Sequence, residues 1–249
     1  MSKNYSKPLL YVRSSIFLVC FAATTIVLAF PVVFSFLFPL MWRWRLVRIY
    51  PTINLWLLKV ICGLRYRVEG RENVPSEPSV IFCKHQSTWE TLGLTLQFPP
   101  AVYVAKRELL YIPFFGWGAA ALRFITIDRS AGRKAVEKIV EQARDRIARG
   151  LWVIIFPEGT RRPVGAPPNY KLGGAVLATE VGVPIVPVAV NAGEYWPRHS
   201  LIKWPGEVVM SIGPPIYPEG KSPEQVRDEA QAWIEGKMAE ITVLNRFPY

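Results

Sequence analysis

The hydrophobic pattern changes character along the chain. From Ser14 to Trp42 no residue is charged, whereas beyond about residue 65 short apolar runs alternate with amphipathic stretches. "SVIFC" (79–83), "AVYVA" (101–105), "FITI" (124–127), "LWVIIF" (151–156), "PIVPVAV" (184–190) and "EVVMSI" (207–212) have the length and the β-branched content of buried strands. Residues 131–149 repeat at the helical period, with Ala135, Ile139, Ala143 and Ile147 on one stripe and Gly150 as a stop signal. A second helix is expected over 222–242, opened by Ser222 with Pro223 at the first helical position and Gln225 placed for a capping box. Strands buried on both faces and separated by helices predict an α/β domain over 65–249, with a mixed, largely parallel sheet flanked by helices. Residues 1–64 then form a membrane-facing N-terminal extension of that one domain.

The uncharged stretch is too long for a signal peptide, lacks a small-x-small cleavage site and is interrupted by Pro31. It can form one spanning helix, which needs about 20 residues, or a hairpin that dips into one leaflet. Lys3, Lys7 and Arg13 precede it, and Arg43, Arg45 and Arg48 follow it. Basic flanks favour the cytoplasm, and a single span cannot keep both there. A break at Pro31 leaves Ser14–Phe30 and Val32–Trp42, and the second arm is too short for a hydrocarbon core of roughly 30 Å. The pattern therefore predicts a half-embedded helical hairpin. The following segment, residues 41–67, mixes Trp and Leu with Arg and Lys, as a segment at the headgroup level does. An ordinary amphipathic helix packed on the domain has the same composition.

Charge adds a partner. The net charge of +11 over 249 residues implies something anionic: nucleic acid, an anionic membrane or a phosphorylated substrate. The basic residues are dispersed and many flank the apolar segment, which favours a membrane phospholipid surface over nucleic acid. Cys20, Cys62 and Cys83 are odd in number and fit no ligand spacing, which suggests a reducing compartment. With His85 and His199 far apart, no metal site is expected. The chain has no G-x-S-x-G elbow, no Walker A loop and no G-x-G-x-x-G after a strand.

Candidate chemistry sits just past strand ends, where α/β folds keep their ligands. His85 follows the run at 79–83, and a helix is expected from Ser87 or Thr88. Glu90 is five positions on, and i,i+5 residues diverge by about 140° on a helix. With His85 in the turn and Glu90 in the first helical turn, the two can still meet, and the carboxylate would hold the imidazole in one tautomer. Ser87 to Glu90 is equally a capping box, and the local pattern supports both readings. In "FPEGTRR" (156–162), Pro157 and Gly159 bend the chain while Glu158, Thr160 and Arg161 stand beside exposed amides. That is either a phosphate receptor or a polar turn. Arg129 leaves the run at 124–127 in the same way, after Asp128, which is placed to cap the next helix.

Taken together, His85-x4-Glu90, Ile127-Asp128-Arg129, Phe156-Pro-Glu-Gly-Thr-Arg161 and "VPIVPVAV" at 183–190 resemble, in order and rough spacing, the four blocks of the glycerolipid acyltransferase family. The resemblance covers about residues 65–215, with Glu90 where the family usually has Asp and without the glycine that often opens the second block. It implies transfer of an acyl chain to the sn-2 hydroxyl of 1-acylglycerol-3-phosphate (lysophosphatidic acid), giving phosphatidic acid for phospholipid biosynthesis. His85 would be the general base, with no covalent intermediate, and Glu90 would orient and charge-stabilise it. Arg161 with Thr160 and Gly159 would hold the acceptor's phosphate, Arg129 would add a second contact, and Glu158 would position the glycerol or Arg161. The tetrahedral oxyanion needs a donor, for which Lys106 is the candidate. No cofactor or metal is implied, only an acyl-carrier protein or coenzyme A thioester as co-substrate, at the cytoplasmic face of the inner or plasma membrane. Another lysolipid acceptor, such as a lysophospholipid or acylated ornithine, fits the same residues. A non-catalytic lipid-binding protein would have no use for the His–Glu pair.

Overall fold

The computed structural model describes residues 6–127 and 133–243. Seven strands form one sheet: β1 Leu64–Glu69, β2 Val80–Cys83, β3 Ala101–Lys106, β4 Ile125–Ile127, β5 Trp152–Ile155, β6 Ile185–Val190 and β7 Gly206–Ile212. Their order is β1-β7-β6-β2-β5-β3-β4, and every pairing is parallel except β6 with β7. The exception follows from the connection: β6 and β7 are joined without the α-helical crossover that parallel neighbours need. All six expected strands are present, within a residue or two of the expected ends.

Side-chain alternation divides the core into two layers. On one face Val80, Phe82, Val153, Ile155 and Ile185 pack under α6 (Arg133–Ala148), α7 (Gly173–Val181) and α8 (Pro223–Ile241). On the other, Ile81, Cys83, Ile154, Val186 and Val188 pack under α4 (Trp89–Gln97). Because β2, β5 and β6 are buried on both faces, their sequences run apolar without a polar partner position. Each fully buried Val, Ile or Phe among them contributes roughly 1.5–3 kcal/mol. Of the stripe expected on α6, Ile139 and Ala143 are buried and Ile147 packs against the same layer, while the side chain of Ala135 lies outside the described residues; α8 opens on the Ser222/Gln225 capping box.

Three elements differ from the sequence expectation. The end of the segment expected at the headgroup level is instead the edge strand β1, whose Leu64, Tyr66 and Val68 alternate with Arg65, Arg67 and Glu69. That period of two, set among scattered charges, is the signal that the tryptophans and arginines obscured. Helix α7 is a short, nearly all-apolar segment whose lack of a polar face hides its period. The largest difference lies at the N-terminus.

There α1 runs unbroken from Lys7 to Phe34, 28 residues and about 42 Å at the helical rise, straight through Pro31. Proline removes one backbone bond, but packing holds the helix: Ala29 and Val32 are buried, and Phe30 packs against Phe114 with the rings tilted, 5.8 Å between centroids. The chain turns only at Ser35–Leu37 and Pro39, then returns as α2 (Leu40–Val47), α3 (Ile49–Leu57) and a π-helical turn at Leu58–Cys62. The return is antiparallel. Tyr50 reaches Thr25 at 3.0 Å, Asn54 accepts from Thr24 at 3.1 Å, and Cys62 lies against the carbonyl of Arg13. The second arm is thus Leu40–Cys62 rather than Val32–Trp42. Its register puts Arg43 and Arg45 near the turn, at the end of the pair opposite Lys7 and Arg13. Arg43 is satisfied there by the carbonyls of Phe36, Phe38 and Ala121. Leu10, Phe17, Leu55 and Leu58 belong to the same buried layer as Ile81 and Val188, so the helical pair and the sheet share a core.

Candidate active site

The neighbouring strands β6, β2, β5 and β3 end on one edge of the sheet, and the residues that follow them meet around one cavity. From β2 comes His85. Its Nδ1 lies 3.0 Å from Glu90 Oε2, in the first turn of α4. Glu90 is fully buried and accepts the Ser87 amide on both oxygens at 2.9 Å and the Gln86 amide on Oε1 at 3.2 Å. Both readings of the sequence therefore hold in one side chain: Glu90 satisfies the free amides at the helix start and holds the imidazole. The cap differs in detail, since Thr88 is the N-cap and the Ser87 hydroxyl accepts instead from Trp89 N at 3.2 Å. Burial lifts the Glu90 carboxyl above its ordinary range, and the imidazole and the two amides hold back part of that rise. Phe156 stacks on the imidazole, 3.7 Å between centroids and 15° from parallel. With Nδ1 engaged and the ring clamped, Nε2 is the nitrogen left for a substrate proton.

From β5 comes the Pro157–Arg161 turn. Gly159 takes φ +70°, a conformation that glycine adopts without the usual cost, and donates to the Phe156 carbonyl at 2.9 Å. The turn is fastened to the histidine loop by the Arg162 amide, which donates to the His85 carbonyl at 2.7 Å. Arg161 Nη1 donates to Thr88 Oγ1 at 2.9 Å, which fixes one side of the guanidinium. His85, Lys106, Gly159, Thr160 and Arg161 all line the cavity.

Glu158 does not. Expected beside Arg161 or the glycerol, it is buried with Oε1 3.1 Å from Lys84 Nζ and Oε2 accepting the His85 amide at 3.3 Å. Burial pushes its carboxyl up and Lys84 opposes the shift. Lys84, itself buried, also binds Glu235 of α8 at 2.7 Å, and Glu235 accepts from Tyr170 at 2.8 Å. A buried carboxylate needs a cation more than it needs a ligand, so Glu158 anchors the two loops to each other. Arg129 lies outside the described residues. Two groups went unforeseen. Lys84 looks in sequence like the last residue of a strand, and its partner lies 151 positions away on α8. Arg198 reaches the cavity from the loop after β6 and belongs to none of the recognisable blocks.

The cavity holds about 640 Å³, within the usual range for small-molecule sites of roughly 300–1,000 Å³. Its polar end carries the imidazole and the cations. Its other end is apolar, walled by Leu28, Ala29 and Val32 of α1 and by Phe115 and Ala119 of α5 (Phe115–Ala121). A carboxylate-held imidazole beside guanidinium groups, opening into an apolar chamber, suits acyl transfer to a hydroxyl on a charged lipid.

Residues 65–191 match the family described as Acyltransferase. The chain is 46% identical over 195 residues to 1-acyl-sn-glycerol-3-phosphate acyltransferase of Pseudomonas aeruginosa, covering 77% of this chain and 76% of that one. It is 32% identical over 189 residues to 1-acyl-sn-glycerol-3-phosphate acyltransferase alpha of Homo sapiens, covering 74% and 67%. Its fold matches the crystal structure of the 1-acyl-sn-glycerophosphate (LPA) acyltransferase, PlsC, from Thermotoga maritima, with a TM-score of 0.79 at 20% identity over 94% of this chain and 97% of that one. On the matched span and the identity to full-sized relatives, the chain belongs to the acyltransferase family.

Proposed function

We propose that this enzyme transfers an acyl chain from a thioester to the sn-2 hydroxyl of 1-acylglycerol-3-phosphate, forming phosphatidic acid. The observation that carries the reading is the 3.0 Å pair of His85 Nδ1 with Glu90, set in one cavity with Arg161 and an apolar chamber. The names of the relatives support the acceptor. His85 Nε2 takes the hydroxyl proton as the oxygen attacks the thioester carbonyl, and Glu90 stabilises the imidazolium. The tetrahedral oxyanion collapses, the C–S bond breaks, and the imidazolium returns the proton to the leaving thiolate. Lys106 is the candidate for the oxyanion, and Arg161 with the Gly159–Thr160 turn holds the phosphate. No cofactor enters this sequence, and the thioester is carried by acyl-carrier protein or coenzyme A.

Release of free thiol, followed against a panel of lysolipid acceptors, tests the acceptor. Lysophosphatidic acid should be preferred, and Arg161→Ala should raise its KM by the equivalent of about 2–4 kcal/mol, the value of a lost charge-assisted contact. The donor KM should change far less. An equal rise for both substrates would make Arg161 structural or a donor contact.

The reading also requires a membrane. α1 with the turn after it, Lys7–Leu37, is long and apolar enough to cross one, with mean hydropathy 2.6 over its most apolar window, and Val12, Val19, Val27 and Phe34 face outward. Basic groups at both ends of the helical pair suit a pair lying within one leaflet rather than inserted turn-first, which would carry Arg43 and Arg45 into hydrocarbon. Arg45 lies over the Trp42 ring at 4.9 Å, as a headgroup-level anchor does. In a Cys20→Ser background, Lys7→Cys and Arg45→Cys should both be labelled only from the cytoplasmic side. Labelling of one of them from outside would establish a span.

A further inference from the structure

We infer that Arg198 is a second phosphate-binding residue, one that adapts the cavity to a phosphomonoester headgroup. The inference rests on the acceptor proposed above and adds a contact that the recognisable sequence blocks do not contain.

Strand order is the first support. β6, β2 and β5 are neighbours, so the loops after them deliver Arg198, His85 and Arg161 side by side. All three line the one cavity. The second support is the direct tie between the cations: Arg198 Nη1 donates to the backbone carbonyl of Arg161 at 2.9 Å. Arg198 Nε donates to His199 Nε2 at 2.8 Å. These two bonds fix the plane of the guanidinium and leave the Nη2 hydrogens for a ligand. The third support is the anchoring of the loop. Trp196, two positions earlier, is buried and meets Phe17 and Phe21 of α1 edge-on, at 5.5 and 5.9 Å between centroids. A loop held by the membrane-side helix carries a long cation to the mouth of a site that takes its acceptor from the membrane.

Charge explains why one arginine is insufficient. A phosphomonoester carries between one and two negative charges at neutral pH, against a single charge on a phosphodiester. Arg161 already gives one of its nitrogens to Thr88. A second guanidinium on the adjacent loop supplies the additional charge and donors that only the monoester needs. The pair thereby separates lysophosphatidic acid from lysolipids with an alcohol esterified to the phosphate.

The test uses the full chain in detergent with two acceptors, 1-acylglycerol-3-phosphate and 1-acyl-glycero-3-phosphoglycerol (the lyso form, with a free sn-2 hydroxyl), and follows thiol release for wild type, Arg198→Gln and Arg198→Lys. For Arg198→Gln the KM for 1-acylglycerol-3-phosphate should rise about tenfold or more, with kcat and donor KM within about threefold. The KM for the phosphodiester acceptor should move much less, and Arg198→Lys should recover part of the loss. An unchanged KM for the monoester, an equal rise for both acceptors, or a rise confined to the donor would each overturn the inference. So would a loss of kcat that tracks a fall in Tm. If Arg161→Ala behaves as expected while Arg198→Gln does not, this inference fails alone. If wild type does not acylate 1-acylglycerol-3-phosphate, both readings fail.

Discussion

Replacing His85 by Ala is expected to lower kcat by about three to four orders of magnitude while the protein stays folded. The size follows from the proposed role. A glycerol hydroxyl is a poor nucleophile at neutral pH, and among the described residues that line the cavity His85 is the one imidazole. The imidazole is fixed by Glu90 on its edge and by Phe156 on its face, so the enzyme spends no reorganisation to present that nitrogen. The cost to stability is smaller. Glu90 loses one donor but keeps the amides of Gln86 and Ser87, which puts the penalty at about 1–3 kcal/mol. For a chain of this size that lowers Tm by only several degrees. The KM for the acceptor should change little, because Arg161 and the apolar chamber are untouched. Rates are to be taken under single turnover, beside Tm in the same detergent. Retention of more than about a tenth of the wild-type kcat would remove His85 from the chemistry. A burst of thiol matching the enzyme concentration without acceptor would point to an acyl-enzyme instead.

Much of this site was legible in the sequence because its parts are local. His85 and Glu90 are five residues apart, and the Pro157–Arg161 turn is continuous, so strand ends and turn residues located them, while the local pattern left a helix cap and a polar turn open and the family resemblance joined the two into one candidate site. The sheet was legible for a similar reason: strands buried on both faces, such as β2 and β5, are short apolar runs with clear ends. What failed depended on contacts distant along the chain. Pro31 marks a helix break only where nothing packs beside it, and here Ala29, Phe30 and Val32 are held from the other side. Glu158 carries the right chemistry for a ligand contact, yet Lys84 and the His85 amide claim it. Arg198 needed the strand order itself, since only the adjacency of β6 to β2 brings its loop to His85. β1 was masked by its composition, because an edge strand with arginines on its open face reads like a membrane-surface segment.

Glu90→Gln separates the amide contacts that Glu90 makes at the helix start from the catalytic task proposed for it. Three N–H groups point at it: the amides of Gln86 and Ser87, and the imidazole at Nδ1. The amides can only donate. A glutamine has one oxygen for all of them and must turn its NH2 toward one side. With the NH2 in the place of Oε1, the buried Gln86 amide loses its acceptor, at about 1–3 kcal/mol, and the Ser87 amide keeps only the oxygen in the place of Oε2. With the NH2 toward His85 the amides stay satisfied, but Nδ1 must accept and the ring proton moves to Nε2. The second arrangement is cheaper, so it prevails. Its effect on stability is slight, since the helix start keeps its acceptor and a whole cap is worth only about 1 kcal/mol. Its effect on catalysis is large. A proton on Nε2 removes the base, and the anion that would stabilise the imidazolium is gone as well. kcat is expected to fall by roughly two to four orders of magnitude with Tm nearly unchanged. Glu90→Asp keeps the charge with a shorter reach and should retain a useful part of the rate. The measurement is kcat beside Tm for both variants in the same detergent. A Gln variant that turns over near the wild-type rate would show Glu90 to be a helix cap that happens to touch a histidine.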